Sequence, residues 1–258
     1  MARHTHDLTV AGDLVTKRYT SWERDEHRRE WTALVLVHEH APDLVPRPMR
    51  ADLDANPPAV TMTRLPGEPL SGGELGPALL RALADALRTL WTVPHDDVPP
   101  LGPWRDDLGF AARLTSAPRP KGDLLAAAYD ASLAWWDGPD PALLRCPPPG
   151  TVLGHRDPNL LNYLWDGRRV RIVDFEDAAV SDPATEIALL LEHLSARDAG
   201  AERLLDRLPV DPTRLRAARR VWAMFWLTLL LPGGPAAARN PPGTADAQAR
   251  RLLRLLDA

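Results

Sequence analysis

Asp157, Asn162 and Asp174 combine residue types and spacings that suit metal-assisted chemistry on a phosphate. Five positions separate the first two and twelve the second pair. Two apolar runs, Leu161–Trp165 and Arg169–Val173, are joined by Asp166-Gly167, a dipeptide favoured in tight hairpin turns. A hairpin returns the chain to its starting end, so Asp174 comes back to face Asn162. A carboxylate and an amide oxygen are hard ligands suited to Mg²⁺, which takes one or two carboxylates and fills its other positions with water and phosphate oxygens. Asp157, upstream in a loop rich in Gly, Asp, Pro and Asn, would sit beside such a cation without having to bind it. That is where a base belongs if it accepts the proton of a hydroxyl attacking phosphorus.

These groups need a scaffold, and the flanking sequence supplies one. Leu8–Val10 and Leu14–Tyr19 flank Ala11-Gly12-Asp13 and predict an antiparallel hairpin. Trp31, Leu34, Val35 and His38 recur at helical spacing within Glu26–His40, which Pro42 ends. A connection through Pro46 and Pro48 leads to a predicted strand, Ala59–Leu65, stopped by Pro66-Gly67. Beyond it the pattern becomes helical over Leu75–Trp91, Trp104–Leu114 and Leu124–Trp136. A short strand, Thr151–Leu153, precedes the polar loop and its hairpin. Asp182-Pro183 then offers an N-cap and a first-turn proline to a helix lined by Ile187, Leu190, Leu191 and Leu194. Helices near Leu204, over Leu215–Leu231 and over Ala245–Leu256 follow. The change of composition places a boundary between a 1–66 unit and a 67–258 unit.

At 258 residues the chain is long enough for one large domain or a small one joined to a larger one. Its 45% hydrophobic and 26% charged residues exclude a disordered or fibrous chain. A net charge of -4 argues against nucleic acid as a partner and leaves small molecules or proteins. The single cysteine, Cys146, cannot close an intramolecular disulfide, which fits a reducing, cytoplasmic setting. The first ten residues lack a signal-like apolar run, and the most apolar stretch, Val221–Leu231, is too short to span a bilayer, so no membrane role is expected.

GHRDPNLLN (Gly154–Asn162) followed by IVDFED (Ile172–Asp177) resembles the catalytic and metal loops of the aminoglycoside phosphotransferase family, small-molecule relatives of the protein kinases. The resemblance implies an α+β, two-lobed, protein-kinase-like fold, with a small N-terminal lobe of sheet plus helix and a larger, mainly helical C-terminal lobe. It implies Mg²⁺-dependent transfer of the γ-phosphate of ATP or GTP to a hydroxyl of a small molecule, aminoglycoside-like or another metabolite. Asp157 would then be the catalytic base, Asn162 and Asp174 the Mg²⁺ ligands, and His155 a structural residue of the loop. Lys17 looks like the phosphate-binding lysine and Glu30 like its ion-pair partner, with Glu26 one turn earlier as the competitor. MTRLPGEPL (Met62–Leu70) resembles the hinge, where Thr63 and Leu65 would hydrogen-bond adenine through their backbones. The similarity runs from about Leu14 to about Leu194; the last sixty residues match only as helices.

Two departures from the family pattern stand out. Only sixteen residues precede Lys17, and no glycine-rich run occurs among them, so a reduced nucleotide clamp is expected. The alternative function is therefore a non-catalytic nucleotide- or metabolite-binding module of the same fold. Arg156 stands where the small-molecule kinases commonly carry glycine, and a surface or ion-pairing role is expected. Asp177 and Glu186 are expected to order loops rather than to catalyse. Asp96-Asp97 and Asp106-Asp107 read as helix caps or as attractors of a cationic acceptor, Arg214–Arg220 as a solvated face, and Trp135, Trp136, Trp222 and Trp226 as core.

Overall fold

The computed structural model describes residues 6–71, 73–96, 98 and 107–257. The N-terminal hairpin consists of β1 (His6–Ala11) and β2 (Leu14–Tyr19), joined at Gly12-Asp13, where Gly12 adopts the positive φ of 59° that the turn requires. Helix α1 (Glu26–His40) has the predicted bounds and lays Ala33, Leu34 and Val37 against the sheet. Burying Leu34 and Val37 is worth about 1.5–3 kcal/mol each. Strands β3 (Pro48–Asp52) and β4 (Ala59–Thr63) complete an antiparallel sheet of order β1-β2-β4-β3. β3 forms where the sequence suggested only a connection. It is an edge strand that begins at Pro48, where a missing N–H does least harm to a ladder.

Strand β5 (Glu68–Pro69) leaves the first sheet and opens the helical part. It contains α2 (Pro77–Trp91), α3 (Asp107–Ser116), α4 (Asp123–Trp135) and α5 (Asp140–Arg145). The expected start of α3 at Trp104 lies outside the described residues. Then come β6 (Val152–Gly154), β7 (Tyr163–Trp165), β8 (Val170–Ile172) and β9 (Ala179–Ser181). Last are α6 (Pro183–Glu192), α7 (Pro212–Leu230) and α8 (Thr244–Asp257). β7 pairs with both β5 and β8, and β6 pairs with β9. The β7–β8 hairpin is shorter than predicted because Leu160–Asn162 form a 3₁₀ turn. Its loop holds four residues, since Trp165 pairs with Val170 and the Asp166 carboxylate accepts the N–H groups of Arg168 and Arg169, each at 2.8 Å. Asp182 caps α6 as expected, accepting from Ala184 at 3.0 Å and Thr185 at 3.1 Å.

One apolar core unites α1, α2, the β7–β8 hairpin and α6; a second, with Leu114, Met224, Leu227 and Leu252, lies among α3, α4, α7 and α8. The arginines of Arg214–Arg220 are not all a solvated face. α7 packs against α3, α5, α6 and α8, so its arginines meet carboxylates instead of water. Arg214 reaches Asp182 at 3.2 Å and Arg220 reaches Asp140 at 2.8 Å. Glu192, fully buried, is held by Arg219 at 2.7 Å and by Arg251 from α8 at 2.5 Å. Among the described residues no helix is long and apolar enough to cross a membrane.

Candidate functional site

Lys17 is buried on β2, and its ammonium joins three elements. Nζ donates to Glu30 Oε2 of α1 at 2.7 Å, to Glu176 Oε2 at 2.9 Å, and to Asp174 at the end of β8. Burial alone would lower the Lys17 pKa; Glu30, Asp174 and Glu176 outweigh it and raise it above the ordinary value. Burial pushes Glu30 up while Lys17 pulls it down, and the Tyr19 hydroxyl also donates to it. Glu176 is also buried, yet His6 and Lys17 hold its carboxyl down at about 2. Glu26, the competitor for Lys17, instead accepts the Arg24 side chain at 2.7 Å.

The loop after β6 is fixed by groups that grip its main chain. Glu186 Oε2 accepts the N–H of His155 at 2.9 Å and of Arg156 at 3.3 Å, which gives it the loop-ordering place expected. The His155 ring spans the carbonyls of Asp157, 2.7 Å from Nδ1, and Val173, 2.9 Å from Nε2. Ser195 Oγ accepts the Leu160 N–H at 3.0 Å and is 2.7 Å from His193 Nδ1. Only glycine fits at 154, because a Cβ there would stand 2.4 Å from Glu186 Oε1 and 2.6 Å from the Ser181 Cβ. Arg156 and Asp174 adopt φ of 63° and 70°, a left-handed conformation that costs a side-chain-bearing residue about 1–3 kcal/mol. Arg156 makes an ion pair, as one expected role had it, but is buried: it meets Asp107 at 2.6 Å and lies over the Trp222 ring.

Within this frame Asn162 Nδ2 donates to Asp157 Oδ2 at 2.9 Å, and the Asn159 N–H donates to Asp157 Oδ1 at 3.3 Å. Burial raises the Asp157 pKa, His155 opposes the rise, and Asp174 and Asp177 add to it. A cavity of about 440 Å³ between sheet and hairpin is lined by Lys17, Glu30, Thr63, Leu65, Asn162 and Asp174. Six of the seven residues singled out from sequence thus share one cleft, and Asp157 is bonded to it through Asn162. The Thr63 N–H donates to the Arg47 carbonyl at 3.0 Å. Sequence reasoning missed Glu176, Tyr19 and Ser195; the only signal for Glu176 is its place two residues after Asp174.

A second cavity, of about 810 Å³, is lined by Asp107, Arg145, Arg156, Trp136 and, from β9, Ser181. Asp107 already faces Arg156 there; Asp97 and Asp106 lie outside the described residues, and Asp96 is exposed. Trp135 and Trp222 are core residues, whereas Trp136 and Trp226 are only partly buried.

The sequence model of a group described as the phosphotransferase enzyme family matches residues 6–222. No curated protein matches the chain in sequence. Solved structures share its architecture at low identity. A choline/ethanolamine kinase family protein from Mesorhizobium loti superposes with a TM-score of 0.69 at 17% identity, over 100% of this chain and 87% of that one. Choline kinase LicA from Streptococcus pneumoniae gives 0.66 at 14%, over 100% and 91%. A thermostable mutant of aminoglycoside phosphotransferase APH(4)-Ia, in a ternary complex with ADP and hygromycin B, gives 0.68 at 18%, over 99% and 92%. The two-part, kinase-like arrangement expected from sequence is thus the fold found.

Proposed function

The chain belongs to the phosphotransferase enzyme family, and from that premise we propose that it transfers the γ-phosphoryl group of ATP or GTP to a hydroxyl of a small molecule. The observation that carries this reading is the cleft in which Lys17, its partner Glu30, Asn162 and Asp174 meet. Asn162 and Asp174 would hold Mg²⁺, and their setting fits. The Asn162 amide nitrogen is bonded to Asp157, so its oxygen is the ligand atom left over, and a carboxylate with an amide oxygen is a hard donor set. When bound, the cation neutralises charge on the phosphate tail and keeps the transferring phosphorus in line.

Lys17 contacts the donor phosphates after exchanging its bond to Asp174 for them, while Glu30 keeps the ammonium in place. The Thr63 carbonyl and Leu65 N–H address the adenine edge. Asp157 accepts the proton of the attacking hydroxyl. Two donors fix its carboxylate, and burial raises its basicity above that of a free carboxylate.

The test is label transfer from γ-labelled ATP or GTP with Mg²⁺ to a panel of hydroxylated metabolites and antibiotics. Transfer to a panel member, reduced about 10²- to 10⁴-fold in Asp157→Asn with nucleotide affinity kept, supports the reading. Equal rates in the two proteins would overturn the role of Asp157. A second reading, a non-catalytic binding module, is favoured by β1 being an edge strand whose Leu8 and Val10 are 61% and 56% exposed. A melting temperature raised by nucleotide without transfer to any acceptor would select it.

A further inference from the structure

His6 brings a nitrogen into the cleft that the reading above leaves unused. One of its ring nitrogens and one carboxylate oxygen each from Asp174 and Glu176 lie within 4.8 Å of one another. His6 Nδ1 is 3.7 Å from Glu176 Oε2. The three come from separate places: the first residue of β1, the left-handed residue after β8, and the 3₁₀ turn Phe175–Asp177. His6 lines the same cavity as Asn162 and Asp174.

Distance, charge and ligand type all bear on what this cluster can bind. Two ligands on opposite sides of one small divalent ion stand about 4.2 Å apart, so shifts of under about 1 Å would bring all three onto one ion. A cation is already seated against two of them, because the Lys17 ammonium contacts Asp174 and Glu176. A metal ion bound there displaces the Lys17 ammonium from Asp174 and Glu176 and leaves Glu30 as its carboxylate partner. Mg²⁺ prefers an all-oxygen shell, whereas an imidazole beside two carboxylates favours first-row transition ions.

We propose that His6, Asp174 and Glu176 form a site for a divalent first-row transition ion, held in preference to Mg²⁺. His6 thereby ties the start of β1 to the Asp174 loop through the metal, at the β1 edge of the cleft. The proposal shares Asp174 with the functional reading but needs neither nucleotide nor acceptor. Its test is therefore separate from any test of phosphoryl transfer.

Mn²⁺, the weakest binder of the transition series, is the conservative probe. Mn²⁺ alone is titrated into the full chain, followed by electron paramagnetic resonance, with Mg²⁺ as competitor. Pulsed measurement then reads the ¹⁴N modulation of a directly bound imidazole. The expected result is one bound Mn²⁺ per chain with nitrogen modulation, displaced by Mg²⁺ only at concentrations about tenfold higher or more. His6→Gln should abolish the modulation and weaken Mn²⁺ about tenfold or more. His6→Asp, which keeps a ligand but makes it oxygen, should bind Mn²⁺ without nitrogen modulation and with less preference over Mg²⁺. His6 is the partly buried first residue of an edge strand, so melting curves of both variants should match the parent. No bound Mn²⁺, no nitrogen modulation, or modulation that survives in His6→Gln overturns the site. Mn²⁺ binding as expected in a chain that transfers no phosphate would leave the site standing and remove the enzymatic reading.

Discussion

On the sheet side of the cleft, Lys17 is positioned by charge, one ammonium shared among Glu30, Asp174 and Glu176. Across from it, the loop carrying Asp157 is positioned by hydrogen bonds that its main-chain N–H groups donate to Glu186 and Ser195 and by the His155 ring. Charge contacts are long-ranged and exchangeable, so a phosphate or a metal ion can replace one partner without a change of fold. Main-chain hydrogen bonds are directional, and losing one leaves a buried N–H without a partner. Under the proposed reaction, the side that would meet the ligand is adjustable, and the side that would hold the base in register is not.

The largest effect expected comes from removing the shared ammonium. Lys17→Met leaves three carboxylates facing one another, Glu30 fully buried among them, and should cost about 3–5 kcal/mol in denaturant unfolding. Adding Glu30→Gln should recover part of that loss. A cost below about 1 kcal/mol would mean that water screens the cluster, and the contrast between the two sides would fail.

Next in size is Glu186→Ala, which deprives the buried N–H groups of His155 and Arg156 of their acceptor and should cost about 2–4 kcal/mol. Hydrogen exchange at those two amides should speed up while nucleotide affinity stays near that of the parent. Unchanged exchange would show that the loop is held by something other than Glu186.

A smaller effect, set by pH, arises at His193, which burial and then Arg197 bring down to about 4. Above about pH 6.5 both the folded and the unfolded imidazole are neutral, and no stability depends on it. As pH falls below that value the unfolded chain takes up a proton that the folded chain does not, so stability drops until about pH 4 and then levels. Allowing for partial exposure, the loss is about 2 kcal/mol. Urea unfolding at pH 7 and pH 4.5 should show a smaller difference in His193→Gln than in the parent; equal differences would clear His193.

Least affected should be Leu8→Ser on the exposed face of β1. Stability should stay within about 0.5 kcal/mol of the parent. Because Leu8 lines the nucleotide-sized cavity, the dissociation constant for MgATP should rise about 2- to 5-fold by calorimetry. No change in affinity would place the bound nucleotide away from β1.

The long periodic elements could be read from the sequence because their own pattern specifies them. α1 runs from Glu26 to His40 as expected, and the Asp182 cap stands where Asp182-Pro183 put it. β9, of three residues, is too short to show a period, and it exists because β6 offers it a partner. β5 is shorter still and depends on β7. In the site, Asp157, Asn162 and Asp174 were legible because they lie close in sequence around one hairpin. Lys17 is 157 positions from Asp174, so its place came from a family resemblance and not from local spacing. Glu176 and Ser195 stayed hidden because only the folded chain reveals that one meets an ammonium and the other a main-chain N–H.

The buried carboxylate of Glu192 also sets a clock on synthesis. Its partner Arg219 is made 27 residues later and Arg251 59 residues later. At about 5–20 residues per second, several seconds pass between the appearance of Glu192 and that of its second guanidinium. Until then α6 carries an incompletely neutralised charge that water must reach, and the joint between α6, α7 and α8 stays open. The helical part of the nascent chain therefore locks only after α8 emerges, although the whole cleft, from Lys17 to Asp174, is encoded before Glu192.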